Sequence, residues 1–237
     1  MTVRLFEIFT SVEGEGILYG TKTLFVRLAG CPFKCFYCDT PDALPLDSGT
    51  EYEIEQACKM IEENLESNTY KVNFTGGDPL VQSDALAKMA QFVQSKNIPT
   101  YIESSCYDSE KFSKVIPFID FVKIEFKTKD SEFVDSTHYP KLIQNAMDCL
   151  KNSVALKKRT YIKIVVSAKT KESDFTELLA KIFQAISKED ISGFIIQPTH
   201  GIEEPSLKLL LKLYDLVHPY YEEVRIVPQL HKIIGAP

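Results

Sequence analysis

The fold is decided by the stretch Gly30-Cys31-Pro32-Phe33-Lys34-Cys35-Phe36-Tyr37-Cys38-Asp39-Thr40. It follows directly after Leu24–Leu28, a short apolar run that is typical of a buried strand. Three cysteine thiolates on one loop can bind three irons of a [4Fe–4S] cluster, which leaves the fourth iron free for a small molecule. The stretch therefore predicts an iron–sulfur site at the end of a strand.

Two other uses of these cysteines compete with a cluster. A structural zinc site normally has four ligands, and the nearest histidine, His138, is far away in sequence. A disulfide framework is typical of short secreted chains, whereas this chain has 237 residues and no apolar N-terminal signal region. The cluster is therefore favoured over both. Cys58, Cys106 and Cys149 are expected to be buried thiols that bind no cluster.

Composition excludes several classes of function. The net charge of −6 and the pI of about 5.4 make tight binding to a nucleic-acid backbone a poor prediction. No apolar run is long enough to span a bilayer, so no membrane contact is expected. Six cysteines together with a low-potential cluster motif indicate a reducing, cytoplasmic location. The balance favours a small, free substrate.

Short apolar runs alternate with helical patterns along the chain. Apolar residues recur with a period of 3.6 in residues 54–65, 85–93, 175–186 and 207–217, as in helices packed on a sheet. We predict an α/β fold, an open and partial (β/α) barrel of about six βα units with a mostly parallel, curved sheet. The whole chain, 1–237, is expected to form one domain. The predicted strands are Leu24–Leu28, Lys71–Phe74, Thr100–Glu103, Phe118–Ile124, Tyr161–Val166, Gly193–Gln197 and Glu223–Val227.

A second motif, Thr75-Gly76-Gly77-Asp78-Pro79, follows the next predicted strand. Two glycines at a strand end let the backbone approach a ligand closely, although a tight turn between strand and helix would also use them. Glu103 lies at the end of the strand after that, where it is either a ligand-binding carboxylate or a solvated one. Because carboxyl ends of parallel strands gather at one edge, these residues are expected near the cysteine loop.

The cysteine spacing C-x3-C-x2-C resembles the signature of the radical S-adenosylmethionine (SAM) enzymes. The segments Phe9–Gly16 and Arg225–Lys232 add a resemblance to one family within them, the 7-carboxy-7-deazaguanine synthases. Matching segments run from residue 7 to residue 237. The resemblance implies a lyase that converts 6-carboxy-5,6,7,8-tetrahydropterin to 7-carboxy-7-deazaguanine with loss of ammonia, in 7-deazapurine (queuosine or archaeosine) biosynthesis.

The resemblance also implies roles for individual residues. The cluster would be bound by Cys31, Cys35 and Cys38, and Thr40 would help to bind Mg²⁺. The N-terminal segment would bind the substrate, and the C-terminal tail would close the site. The implied substrate-binding residues are Val12, Glu13, Gly14, Glu15, Arg27, Thr75, His231 and Pro237. The implied SAM-binding residues are Tyr37, Cys38, Asp39, Gly77, Glu103, Glu125, Phe126, Lys127, Gln197, Pro198, Thr199 and His200.

The chain departs from the family pattern in three places: at Glu13, at Asp78 and directly after Glu103. The family usually has Gln where this chain has Glu13, and Glu where it has Asp78. After Glu103 the family often has Thr or Asn and then Gly, whereas this chain continues with Ser104, Ser105 and Cys106. These departures bear on the substrate and leave the radical SAM resemblance intact.

Partners follow from the resemblance as well: a flavodoxin or ferredoxin as the reductant, and a second copy of the chain in a homodimer. Two other functions stay open from the residues. A glycyl-radical activase would share the cysteine loop but need no pterin pocket. A non-catalytic metal-binding module would explain the cysteines but not Gly76 and Gly77, and it would not cleave SAM.

Overall fold

A computed structural model describes residues 1–131 and 138–236 of the chain. Its strands are β1 (Thr2–Val12), β2 (Lys22–Leu28), β3 (Thr50–Glu53), β4 (Lys71–Gly76), β5 (Thr100–Ser104), β6 (Phe121–Glu125), β7 (Arg159–Val166), β8 (Phe194–Pro198) and β9 (Arg225–Ile226). They form one nine-stranded sheet in the order β3-β1-β2-β4-β5-β6-β7-β8-β9. The sheet is open, with β3 and β9 at its edges, and the predicted open α/β fold is confirmed.

The first three strands form an antiparallel part of the sheet that the sequence patterns did not predict. β1 pairs antiparallel with both β2 and β3, and the rings of Phe9 and Phe25 stack at 5.1 Å across the first of these pairs. β1 mixes polar and apolar residues, and Val3 and Leu5 are its buried members. A strand search that favours continuous apolar runs passes over such a half-exposed strand.

From β2 onward, each strand pairs in parallel with the next one in the order of the sheet. Alternate residues such as Leu24, Val26 and Phe74 are fully buried beneath the helices. Because the strands are parallel, their carboxyl ends lie at one edge. The cysteine loop follows β2 and the Gly76-Gly77 turn follows β4, so both lie at that edge.

The described part of the chain has seven helices, of which the first six connect strands and the last follows β9: α1 (Ile54–Asn64), α2 (Ser83–Ser95), α3 (Ser109–Val115), α4 (Tyr139–Ala155), α5 (Glu172–Ala185), α6 (Leu207–Val217) and α7 (Leu230–Ile234). The helical patterns predicted α1, α2, α5 and α6. α4 was not predicted, although Leu142, Ile143, Ala146 and Leu150 give it a buried apolar side. The main core lies between the helices and the sheet, and Cys58, Cys106 and Cys149 belong to it.

The other face of the sheet is the inner face of the partial barrel. A smaller apolar cluster of Leu18, Tyr101, Phe121, Tyr161 and Ile195 covers this face near the amino ends of the parallel strands. Towards the carboxyl ends of the strands, the inner face carries the polar residues described below. Among the described residues, no helix is both long and apolar enough to cross a membrane.

Candidate active site

Backbone hydrogen bonds fix the cysteine loop at both of its ends. Gly30 donates to the carbonyl of Ala43 and Cys31 donates to that of Leu44, each at 2.9 Å, while Cys38 donates to the carbonyl of Cys35 at 3.1 Å. The loop is therefore anchored to the short turns that follow it. This arrangement keeps the three predicted cluster ligands on one cavity.

The Gly76-Gly77-Asp78 turn packs directly against the cysteine loop. The backbone N–H of Gly77 donates to Leu28 O at 3.2 Å, and that of Asp78 donates to Gly30 O at 2.8 Å. A Cβ on Gly77 would lie 2.5 Å from Gly30 O and 2.8 Å from the Cβ of Cys31. The backbone at Gly77 thus approaches the cysteine loop closely, whereas the sequence analysis predicted a close approach to a ligand.

A cavity of about 220 Å³ on the inner face collects most of the predicted site residues. The implied ligands of the cluster and of Mg²⁺, Cys31, Cys35, Cys38 and Thr40, all line it. So do the following predicted substrate-binding and SAM-binding residues: Val12, Glu13, Gly14, Glu15, Arg27, Thr75, His231, Tyr37, Asp39, Gly77, Glu103, Glu125, Lys127 and Gln197.

Four predicted SAM-binding residues lie away from this cavity. Phe126 is fully buried in the main core. Pro198 ends β8, and the hydroxyl of Thr199 donates to Glu203 O at 3.0 Å. His200 is exposed, with Nδ1 at 3.5 Å from a carboxylate oxygen of Glu204. Pro237, which is predicted to contact the substrate, lies outside the described residues.

The cysteine thiols have the surroundings of metal ligands. Burial raises the pKa of Cys31 to about 12, and a hydrogen bond from the backbone of Phe33 acts against this rise. Burial also raises the pKa of Cys35, while the Lys127 ammonium opposes it. Iron binds thiolates, so it would take the place of these protons, and the donors at Phe33 and Lys127 would remain to stabilise the sulfur charge. The three residues fit a cluster with one open iron.

Buried lysines and carboxylates form the wall beside the cysteines. Glu125 accepts hydrogen bonds from Lys123, at 2.8 Å, and from Lys127, and its carboxylate lies 3.5 Å from Lys163. Burial would raise the pKa of Glu125, but these ammonium groups lower it well below its usual value. Lys163 also donates to Glu15 at 2.5 Å. The wall is therefore a network of paired charges rather than an apolar surface.

The N-terminal segment and the C-terminal tail meet at the cavity. Leu230 donates its backbone N–H to Gly14 O, and Gln229 donates to Glu15 at 2.8 Å. Asp39 lies 3.4 Å from Nε2 of His231. Desolvation raises the pKa of Asp39, but the hydrogen bond and charge of His231 bring it down to about 2. One carboxylate oxygen of Glu15, one of Asp39 and one ring nitrogen of His231 lie within 4.8 Å of one another, close enough to share a metal ion. Thr40 follows Asp39 in the chain and lines the same cavity.

Arg27, one of the implied substrate-binding residues, places a cation on the cavity wall. Its Nε lies 2.7 Å from an oxygen of Glu7 without hydrogen-bond geometry, and its guanidinium carbon lies 5.4 Å from the ring centre of Phe9. These contacts orient the guanidinium on the cavity wall. Its terminal N–H groups suit a carboxylate bound in a fork.

Lys123 and Lys163 line the cavity and were missed because the strands were interpreted as continuous apolar runs. Polar residues occupy every second position on the inner face: Lys71, Asn73 and Thr75 in β4, Tyr101 and Glu103 in β5, Lys123 and Glu125 in β6, and Tyr161 and Lys163 in β7. This period of two was present in the sequence and identifies the inner face. Phe9, Phe25 and Gln229, which also line the cavity, gave no comparable signal.

Known proteins resemble the chain over most of its length. Residues 12–154 match the family model described as a 4Fe-4S single cluster domain. The 7-carboxy-7-deazaguanine synthase of Archaeoglobus fulgidus is 32% identical and aligns over 99% of each chain. The enzyme of that name from Methanocaldococcus jannaschii is 28% identical, over 97% of this chain and 98% of its own. The crystal structure of QueE from Escherichia coli shares the fold, with a TM-score of 0.64 and 17% identity over 97% of this chain and 95% of that one.

Proposed function

The chain belongs to the 7-carboxy-7-deazaguanine synthase family, and on that basis we propose that it converts 6-carboxy-5,6,7,8-tetrahydropterin to 7-carboxy-7-deazaguanine and ammonia. One observation carries the proposal. The three cysteines of the cluster motif line the same cavity as Glu15, Arg27 and His231, which suit the donors and the carboxylate of a pterin acid. The site thus combines radical chemistry with recognition of a small, charged heterocycle.

Cys31, Cys35 and Cys38 would hold the [4Fe–4S] cluster. When bound, the cluster and SAM supply a 5′-deoxyadenosyl radical for hydrogen abstraction. Glu103 and Gln197 line the cavity beside the cluster loop and are proposed to bind SAM. Gly77 lines the same cavity and is also proposed to contact SAM, while its lack of a side chain lets it pack against the cysteine loop.

The substrate would bind through complementary charges. Arg27 is proposed to bind the carboxylate in a fork, which orients the ring before any bond changes. Glu15 is proposed to accept from ring N–H groups, and it is held in place by Lys163, Gln197 and Gln229. Because Glu15 is already fixed by these donors, it needs little rearrangement when the ring arrives.

A magnesium ion and two protein partners complete the proposal. Mg²⁺ prefers oxygen ligands, and both Thr40 and Asp39 line the cavity. The ion would help to position the substrate carboxylate. A flavodoxin or ferredoxin is proposed to supply the electron, and the chain is proposed to act as a homodimer, both from the family resemblance.

Anaerobic turnover tests the proposal. Protein with a reconstituted cluster is given SAM, a reductant and 6-carboxytetrahydropterin, with and without Mg²⁺, and the products are separated. We expect 7-carboxy-7-deazaguanine, more of it with Mg²⁺, and none from Cys31→Ala. The matched control Cys58→Ala removes a buried thiol of α1 and should leave turnover unchanged. Cleavage of SAM without the deazaguanine would contradict the proposed substrate.

A further inference from the structure

Lys71 and Glu13 form an ion pair that is almost completely buried. The side chain of Lys71 is 0% exposed and that of Glu13 is 2% exposed, and Lys71 Nζ lies 2.6 Å from Glu13 Oε2. The same ammonium donates to the hydroxyl of Thr23 at 2.5 Å and lies 5.1 Å from the ring centre of Tyr101. Two charges are removed from water here, and each would be costly without the other.

The Lys71–Glu13 pair lies near the amino end of β4, whereas the cysteine loop lies near its carboxyl end. Lys71 is the first residue of β4, whereas Gly76 at the end of β4 adjoins the cysteine loop. Glu13 follows β1 and pairs through its backbone with Thr21, just before β2 begins. With about 3.3 Å per residue, roughly 16 Å separate the two ends of β4. Glu13 therefore lies deep in the cavity, away from the cluster.

Only one oxygen of Glu13 is used by the protein in the described part of the chain. Oε2 accepts from Lys71 and, at 3.1 Å, from the amide of Asn73, which also donates to Glu103 at 3.1 Å. Within residues 1–131 and 138–236, Oε1 of Glu13 has no hydrogen-bond donor, although Glu13 lines the cavity. A ligand that offers an N–H group can therefore bind at this oxygen.

Glu13 is a buried acid, so its protonation decides which hydrogen bonds it can make. An amide offers one acceptor and one donor, whereas a carboxylate only accepts. A buried carboxylate without a cation would instead tend to take up a proton and become a donor. Burial and the nearby Glu103 carboxylate raise the pKa of Glu13 to about 7, whereas Lys71 supplies a cation at 2.6 Å that acts to lower this pKa. Glu13 and Lys71 therefore form one unit.

We infer that Lys71 is a positioning residue that holds Glu13 through Oε2, so that Oε1 can accept from an N–H group of the pterin ring. The inference rests on the proposed function for the identity of the ring. Asn73 extends the unit to Glu103, so the position of Glu13 is tied to the part of the cavity proposed for SAM. Lys71 itself does not line the cavity, and it acts through Glu13 alone.

Four proteins test the inference: the wild type, Lys71→Met, Glu13→Gln, and the double variant Glu13→Gln/Lys71→Met. The first readout is KM and kcat for 6-carboxytetrahydropterin. The second is the Kd of 6-carboxypterin, whose fluorescence is clear because the chain contains no Trp. The control Lys22→Met removes an exposed lysine paired with Glu66 at the start of β2 and should change neither readout.

We expect Lys71→Met to raise KM and Kd at least about tenfold, because an unpaired Glu13 would take up a proton or move. Its kcat and its cleavage of SAM without substrate should change much less. The double variant replaces both charges of the pair by neutral side chains, so it should regain most of the lost affinity. If Lys71→Met does not fold, as judged by circular dichroism, the affinity of the double variant is compared with that of Glu13→Gln. Glu13→Gln leaves Lys71 without its carboxylate, so the double variant should bind more tightly.

Two results would overturn the inference. One is wild-type affinity in Lys71→Met; the other is a double variant that binds no better than Lys71→Met, or no better than Glu13→Gln where Lys71→Met does not fold. Failure of the proposed function is recognised separately, since it appears as absent deazaguanine with the wild type. A wild type that neither turns over the substrate nor binds 6-carboxypterin would overturn both.

Discussion

Asp78 accepts two hydrogen bonds from Ser105, one from the backbone N–H at 2.9 Å and one from the hydroxyl at 2.5 Å. Its carboxylate also accepts from the hydroxyl of Ser104, and it is only 1% exposed. The turn after β4 is thereby joined to the end of β5. Asp78 and the two serines are all departures from the family pattern, and in this chain they are partners of one another.

Replacing Asp78 should therefore destabilise the whole edge of the sheet. Asp78→Ala leaves the buried donors of Ser104, Ser105 and Leu80 unpaired, and we expect the free energy of unfolding to fall by about 3 kcal/mol. Ser105→Ala loses only the hydroxyl and should cost about 1 kcal/mol. Urea unfolding followed by circular dichroism measures both changes. A loss below about 0.5 kcal/mol for Asp78→Ala would contradict this role.

Whether Asp78 and Ser105 compensate each other can be tested with a double variant. Asp78→Glu alone inserts a methylene into a packed site and should cost about 1–3 kcal/mol. Combining it with Ser105→Gly, which restores the family's glycine and creates space, should recover part of that loss. Purely additive effects in the urea experiment would show that the two positions do not compensate each other.

Gly77→Ala should impair loading of the cluster. The added methyl group would lie 2.5 Å from Gly30 O and would push the cysteine loop away from its turn. We expect less iron and sulfide per chain after reconstitution, with little change in secondary structure. Gly201→Ala is the control, because nothing lies within 4 Å of a Cβ at that position. Its φ of +75° means that this variant carries only the conformational cost of placing alanine in the left-handed region, about 1 kcal/mol. Equal iron content in both variants would refute the steric explanation.

The cysteine loop could be identified as a candidate cluster site because its spacing is local: Cys31, Cys35 and Cys38 lie on one loop and need no knowledge of the rest of the fold. The parallel strands were predictable because they are buried and rich in apolar residues, either throughout or at every second position. The partner of Glu13 was not, because Lys71 is 58 residues away and only the pairing of β2 with β4 brings it near. The polar residues of the inner face carried a period of two, which the apolar interpretation of the strands concealed.

Glu125→Gln should reduce stability in a way that depends on pH. The variant leaves Lys123, Lys127 and Lys163 with one carboxylate fewer, and we expect a loss of about 3 kcal/mol at neutral pH. The pKa of Glu125 is well below 4.5 in the folded protein, so its contribution is present above pH 4.5 and is lost as the pH falls further. The gap in free energy of unfolding between wild type and variant should narrow on acidification below that value.

A matched control for this pH series is Glu177→Gln. Glu177 is an exposed carboxylate on α5 that pairs with Lys181, so water screens its charge and the variant should follow the wild type closely. A gap for Glu125→Gln that stays constant down to acid pH would show that packing rather than charge explains the loss.

Arg27→Lys should weaken substrate binding while leaving SAM cleavage intact. Lysine keeps the positive charge but loses the planar fork that binds a carboxylate through two N–H groups, so KM for 6-carboxytetrahydropterin should rise about tenfold to a hundredfold. A pterin without the carboxylate should inhibit wild type and variant equally, because it does not use Arg27. The control Arg4→Lys changes an arginine on β1 that pairs with Glu51 outside the cavity, and its KM should stay at the wild-type value. An equal loss of affinity for both pterins would mean that Arg27 orders the wall through Glu7 and Phe9 instead of binding the carboxylate.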